Sequence, residues 1–456
     1  MKKITAFCCL FISLLSNAQC LQTVAVGNTS MTAIHTDGTL WAWGSNEYGQ
    51  LGNGTFNSSL VPIQVSTETT FTMISAKGHV AALKQDGTLW AWGLNMFGQL
   101  GNGTTNNNNA ITQVGTDADW VQVAVGHGNT VTIKADGTLW GCGYNWQHQI
   151  YNDGTEAPTP MVTQMMQIGT DTNWQTIAVG DFHIMALKTD GSLWVWGSNS
   201  GGQCGQVPFS AEVNQPTQIG TDAWREIAAG SFSSYGIKQD GTLWAWGNNG
   251  TGAVGIGPTD SIIVQQPVQV GTDNNWDHIY ARANTAFGQK TNGELYGWGY
   301  NIWSNLGIGT NENMYLPTLI PDGPEYSMIF TSYENNAAFK NDGTLWLWGN
   351  NPDGRLGLGN TGTQPVPVQL ECSALLQSGF SGGEVSLYPN PVTDSFEITG
   401  LDGLPSKIII TDMYGKIIRA VKDTGSVSLS DVPDGIYIAT AYYGGKALRK
   451  KIIKAR

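Results

Sequence analysis

The stretch Asp37-Gly38-Thr39-Leu40-Trp41-Ala42-Trp43-Gly44 decides how this 456-residue chain reads. Asp-Gly between two apolar runs is a hairpin signal, because the glycine supplies the positive φ that a tight turn needs. The anchor returns at Asp86-Gly87, Asp136-Gly137, Asp190-Gly191, Asp240-Gly241, Asn292-Gly293 and Asp342-Gly343, at intervals of 49 to 54 residues. Each copy predicts four short strands. The first is of the type Ile177-Ala178-Val179-Gly180, and the second ends in Leu/Ile-Lys before the Asp-Gly turn. The third carries Trp-x-Trp. A polar loop such as Gly49-Gln50-Leu51-Gly52-Asn53-Gly54 leads to the fourth, as in Pro216-Thr217-Gln218-Ile219-Gly220. Four strands per unit, seven times over, predict an all-β chain with a seven-bladed β-propeller. An open solenoid would need atypical capping repeats, and the sequence shows none.

Composition agrees. There are 59 glycines and 18 tryptophans, and charged residues make up 12% of the chain, against about 25% in an average domain. Glycine at that density argues against long helices, and so much apolar surface argues against disorder. Residues 21–383 carry 27 acidic and 10 basic side chains. Such a body would repel a phosphate backbone, so no nucleic-acid partner is expected.

The ends differ from the middle. Lys2 and Lys3 precede an apolar run from Ile4 to Leu15, and Ser16-Asn17-Ala18 offers a small-x-small cleavage site. Residues 1–18 therefore predict a signal peptide rather than a buried first strand or helix. Gln19 fits poorly before a lipidated cysteine at Cys20. No later stretch reaches about 18 uncharged apolar residues, so no membrane span is expected. The repeats fill 19–372, Ser378-Gly379-Phe380-Ser381-Gly382-Gly383 lies in a linker over 373–383, and 384–456 forms a mildly basic, strand-rich module.

Two resemblances follow from these residues. Trp43-Gly44-Ser45-Asn46-Glu47-Tyr48-Gly49-Gln50-Leu51-Gly52-Asn53-Gly54 and its second copy, Trp92 to Gly103, resemble the regulator of chromosome condensation repeat. The resemblance implies a seven-bladed propeller, although Gln147-His148-Gln149-Ile150-Tyr151 and Gly202-Gln203-Cys204-Gly205-Gln206 keep only fragments of the loop. Nuclear members of that family act as nucleotide-exchange factors and dock on chromatin through basic segments. An acidic, exported chain does not inherit that activity, and secreted propellers of this kind include a protein inhibitor of β-lactamases. The C-terminal module resembles the sorting domain of the type IX (Por) secretion system, through Pro389-Asn390-Pro391, Asp412, Gly415, Gly435, Tyr437 and Lys451. That resemblance implies a small β-sandwich recognised by the type IX secretion machinery and usually removed by a sortase; an ordinary immunoglobulin-like accessory domain is the competing reading. The implied route runs through the periplasm to the cell surface or medium.

Residues that depart from the repeat are the candidates for a site. Cys142 stands where other copies have the second tryptophan and Cys204 where they have leucine, so both read as small core residues. The six histidines show no metal-ligand spacing, and His79 and His183 share a repeat position held elsewhere by Ser30, Asn129, Ser233, Thr285 and Asn335, which reads as a polar site within each blade. No nucleophile elbow, zinc-protease helix or phosphate loop is present, so no catalytic residue, metal or cofactor is expected. Twelve of the fourteen Trp-x-Trp positions, together with Trp120, Trp174, Trp224 and Trp276 after Gly-Thr-Asp spacers, recur in phase and read as core. Tyr48, Phe97, Trp146 and Trp303 sit in the variable loop after Gly-x-Asn, and aromatics on variable loops of a rigid scaffold predict a ligand face. The alternative is that they pack against neighbouring blades. The expected function is non-enzymatic binding of an unknown extracellular protein, with glycan binding or a hydrolase in the propeller funnel as alternatives.

The ring junction carries the last expectation. Aligning Leu370 with Ile219 places Cys372 at Thr221, and aligning Val24 with Ile227 places Cys20 at Ala223. Two positions along one backbone path lie ~5–7 Å apart, within disulfide reach, and an exported compartment permits the bond.

Overall fold

The computed structural model describes residues 20–150, 160–321, 325–371, 386–399, 403–412, 417–422, 424–443 and 446–455. The expected signal peptide and linker, together with Cys372 and Gly415, lie outside them. No α-helix occurs among the described residues, and no helix there is long and apolar enough to cross a membrane.

Residues 21–370 form seven four-stranded antiparallel sheets, each built from consecutive strands. The first consists of β1 (Leu21–Val26), β2 (Ser30–His35), β3 (Leu40–Gly44) and β4 (Ser59–Ser66), in that order. Burial explains the order. The second strand is almost wholly buried in every sheet, whereas the fourth is the exposed rim, interrupted by Pro62, Pro216, Pro267, Pro317, Pro365 and Pro367. Proline has no N–H to offer, so the rim is a poor template for further strands.

The Asp-Gly turn is a hydrogen-bond relay as well as a bend. Asp136 Oδ1 accepts from the Thr138 N–H at 2.9 Å and its hydroxyl at 2.6 Å. The Thr138 hydroxyl then accepts the Trp140 indole N–H at 2.9 Å. Gly137 sits at φ 78°, and a Cβ there would lie 2.2 Å from the Thr172 carbonyl. The relay recurs at Asp37, Asp86, Asp190, Asp240 and Asp342, with Ser192 replacing threonine once. The Gly-Thr-Asp spacer joins the same unit. Lys134, Lys188, Lys238 and Lys290 reach Asp117, Asp171, Asp222 and Asp273 at 2.7 to 2.9 Å. Their ammonium groups lie over Trp140, Trp194, Trp244 and Tyr296.

The second tryptophan joins sheet to sheet. Trp92, Trp196, Trp246, Trp298 and Trp348 are fully buried and donate their indole N–H to the carbonyls of Gln50, Gln149, Gln203, Ala253 and Asn305 in the preceding sheet's loop, at 2.7 to 3.0 Å. Trp43 of the first sheet makes the same bond to Arg355 of the last, at 3.0 Å, so the ring closes on itself. Cys142 keeps the position with a thiol 3.3 Å from the Gln99 carbonyl. It and Cys204 are buried and free. His79 and His183 depart from the expected role within one blade: their Nε2 atoms pair with Thr130 at 2.8 Å and Ser234 at 2.9 Å, both in the following sheet.

The C-terminal module is a separate unit. A three-stranded sheet (Ser386–Tyr388, Ser395–Thr399, Ser426–Ser428) and a four-stranded sheet (Ile417–Lys422, Lys407–Asp412, Gly435–Tyr443, Lys446–Lys454) share a core of Val392, Phe396, Ile408, Ile410, Val427 and Ile452. The Tyr388–Pro389 and Asn390–Pro391 bonds are cis, and Asn390 Oδ1 accepts the Ile453 N–H at 2.9 Å. Buried Tyr437 donates to the Pro433 carbonyl at 2.9 Å. Asp412 pairs with Tyr437, Gly435 with Lys454 and Lys451 with Ile438 in the strand ladders.

Candidate binding face

In an antiparallel blade the first-to-second and third-to-fourth connections emerge at one end, and the Asp-Gly turns at the other. The first end is the loop face. Its long loop hangs on the asparagine of Gly-x-Asn, buried in all seven sheets. Asn95 Oδ1 accepts the Leu100 N–H at 2.9 Å while Nδ2 donates to the carbonyls of Thr104 and Asn106 at 3.0 and 2.9 Å. Asn46, Asn301 and Asn351 repeat the arrangement. A glutamine four residues on ties the loop to its neighbour, as Gln149 Nε2 does on the Phe182 carbonyl at 3.2 Å.

The two residues after that asparagine point into no repeated contact. Tyr48 is 42% exposed, Trp146 61% and Trp303 40%, and Phe97 is half-buried. The structure corrects their register. Tyr48, Phe97 and Trp303 are second after the asparagine, whereas Trp146 is first and shares its position with Met96 and Ile302, both exposed.

Of this set only Phe97 joins a cluster of rings, and its partners lie outside the set. Phe97 meets Tyr144 edge-on with ring centroids 5.2 Å apart, and Tyr144 lies 5.9 Å from Phe182. Phe182 continues to His127 at 5.4 Å and Phe232 at 6.3 Å. This aromatic band crosses the second to fifth sheets. Tyr48 and Trp303 stand apart from it, in the first and sixth. Sequence reasoning missed Tyr144, Phe182, Phe232 and the exposed Tyr333; the signal for the last three was a non-repeating aromatic in the first-to-second turn, whereas Tyr144 ends a third strand.

Backbone strain gathers on the same face. The non-glycine residues with positive φ among the described residues are His148 (58°), Ser304 (57°) and Ala283 (50°). His148 and Ser304 stand where other loops have glycine, and they belong to the loops that carry Trp146 and Trp303. Strain of this kind, about 1–3 kcal/mol per residue, collects at ligand sites because a fold discards it elsewhere.

Charged groups close the centre. The position after the innermost strand is Gly27, Gly126, Gly180 and Gly230 in four sheets, where a Cβ would meet the next sheet's carbonyl at 2.5 to 2.9 Å. Lys77 follows the innermost strand of the second sheet, and in the sixth the equivalent repeat position is Arg282, the last residue of its strand. Lys77 pairs with Asp181 of the fourth sheet, which also accepts the Ser231 hydroxyl. Burial pulls the Lys77 ammonium down to about 8 even beside Asp181. Burial pushes the Asp181 carboxyl up, and the Lys77 charge more than reverses it, leaving about 2. Below lies a channel cavity of about 320 Å³, lined largely by Val, Ala and Ile of the innermost strands. No cluster of metal-ligating side chains occurs among the described residues.

Residues 66–388 match the RCC1-like domain, and the regulator of chromosome condensation (RCC1) repeat matches at 22–50 and 37–83. The chain belongs to the RCC1-like domain family. Residues 386–455 match the secretion system C-terminal sorting domain. Among curated proteins, the ultraviolet-B receptor UVR8 of Arabidopsis thaliana is 24% identical over 210 residues, 45% of this chain and 36% of the receptor. The mitochondrial RCC1 domain-containing protein RUG3 of the same plant is 29% identical over 127 residues, 25% of this chain and 28% of RUG3. The chain thus spans about a third or less of the length of these relatives. Among solved structures, Prp20p from Saccharomyces cerevisiae superposes with a TM-score of 0.65 at 19% identity, covering 78% of this chain and 88% of Prp20p. Human WBSCR16 gives 0.52 at 21%, covering 81% and 84%. These likenesses show the fold. Together with the sorting domain they make this RCC1-like chain a secreted propeller protein, addressed by type IX secretion to the cell surface or medium.

Proposed function

We propose that the propeller is a non-enzymatic binding module that holds another extracellular protein on its loop face. One observation carries the reading: exposed aromatics, strained residues and departures from the repeat fall on the same face. The loops that vary from sheet to sheet hang on buried asparagines that do not, which is how a rigid scaffold presents a specific surface. Trp146 and Trp303 are the expected anchors, since tryptophan dominates the energetics of protein interfaces. Export through the periplasm by the signal peptide, followed by type IX delivery, places that face outside the cell. The funnel does not favour a hydrolase: Asp181 is committed to Lys77 and Ser231, and the channel walls are mostly apolar.

The test is site-specific photocrosslinking in the native culture, comparing positions 48, 146 and 303 with turn-face positions 190 and 240. A discrete protein adduct confined to the loop-face positions supports the reading. Adducts at both faces alike, or a glycan in place of protein, defeat it.

A further inference from the structure

Arg282 is unlike the other cations of the propeller. Its Nη2 reaches across the ring to the carbonyls of Ala76 at 3.2 Å and Val125 at 3.3 Å, in the second and third sheets. It forms no ion pair among the described residues, and its Nε is buried without a hydrogen-bond partner. Thr331 Oγ1, at the end of the adjacent innermost strand, is also buried without a partner, and both residues line the channel. The nearby cation Lys77 already occupies Asp181. Asp181 therefore faces two cations, Lys77 in direct contact and Arg282 at longer range, and one carboxylate does not balance both.

We propose that the loop-face mouth of the channel, between Arg282 and Thr331, binds a carboxylate, and that on the native partner it belongs to an acidic residue beside an apolar side chain. This rests on the loop face being the binding face. A carboxylate accepts from both the guanidinium and the threonine hydroxyl, which matches the two orphaned groups. Phe182 and Phe232, neighbours on the first-to-second turns of the fourth and fifth sheets at the same face, offer the surface for the apolar neighbour.

The probe is N-acetylphenylalanine, with its uncharged amide as control, titrated calorimetrically into the full chain at constant ionic strength. The acid binds saturably and the amide at least tenfold more weakly. Thr331→Val weakens the acid several-fold, Arg282→Gln abolishes its binding, and Leu316→Ala, on the exposed rim strand, leaves it unchanged. Equal affinity for acid and amide overturns the proposal, as does undiminished binding by a folded Arg282→Gln chain. Should Arg282→Gln not fold, Thr331→Val decides alone, and an unchanged affinity there overturns it. A failed probe with persistent crosslinking at 146 sinks this inference only; lost crosslinking with an intact carboxylate site sinks the loop-face reading instead.

Discussion

The two faces of the propeller are built from the same repeat and treat it differently. On the turn face, one relay of aspartate, threonine and tryptophan serves six sheets, and a lysine–acid pair beside it recurs with little change. On the loop face, the position after the anchoring asparagine is Glu47, Met96, Trp146, Ser200, Gly250, Ile302 or Pro352 in turn. Repetition marks what the fold requires of every blade. Its interruption marks positions the fold leaves free, and this position and the next carry the exposed Trp146, Tyr48 and Trp303.

The largest break expected in this contrast is at a repeated tryptophan. Trp196→Ala removes a fully buried side chain and its bond to Gln149, and is expected to cost about 3–5 kcal/mol in denaturant unfolding. Next comes the ring junction. The free thiols among the described residues are Cys142 and Cys204, and Cys20 is not one of them. We propose that Cys20 pairs with Cys372, so that reduction adds the mass of two hydrogen atoms to the intact chain and Cys372→Ser lowers stability by about 2–5 kcal/mol. Free thiols at both Cys20 and Cys372 in the mature protein, beyond those of Cys142 and Cys204, would defeat that pairing.

A smaller effect separates the sheets by pH. Burial, reinforced for His79 by the Arg282 charge, lowers His79 to about 3, and burial lowers His183 to about 4. Both therefore fold neutral, and the stability they contribute is full above the unfolded value of about 6.5 and drains away as pH falls toward 4. His79→Gln and His183→Gln should flatten the slope of stability against pH between 6.5 and 4; an unchanged slope assigns the acid sensitivity to other groups. Smallest in stability is Trp146→Ala. Its side chain is exposed, so unfolding should shift by no more than about 0.5 kcal/mol while binding of the crosslinked partner falls at least tenfold.

The hairpin turns, the strand order and the buried second tryptophan were legible because Asp-Gly and Trp-x-Trp act over a few residues. Cys142 and Cys204 were legible as core because the repeat says what they replace. The lysine–aspartate pairs were not, since Lys134 and Asp117 face each other only after the first two strands fold back. The band from Phe97 to Phe232 and the reach of Arg282 to Ala76 were further still from view. They join sheets up to 206 positions apart, and only the closed ring makes those positions neighbours. The one-residue offset between Trp146 and Trp303 was hidden by the loss of the loop glycine at both His148 and Ser304.

The central claim is that the repeated chemistry is scaffold and the interrupted chemistry binds. A single substitution scan of both faces tests it most directly, reading protease resistance and affinity for the crosslinked partner on each variant. Turn-face substitutions should lose resistance and affinity together, in proportion, whereas changes at Tyr48, Phe97, Trp146 and Trp303 should lose affinity alone. Turn-face variants that fold normally yet fail to bind, alongside loop-face variants that bind as well as the parent, would contradict it.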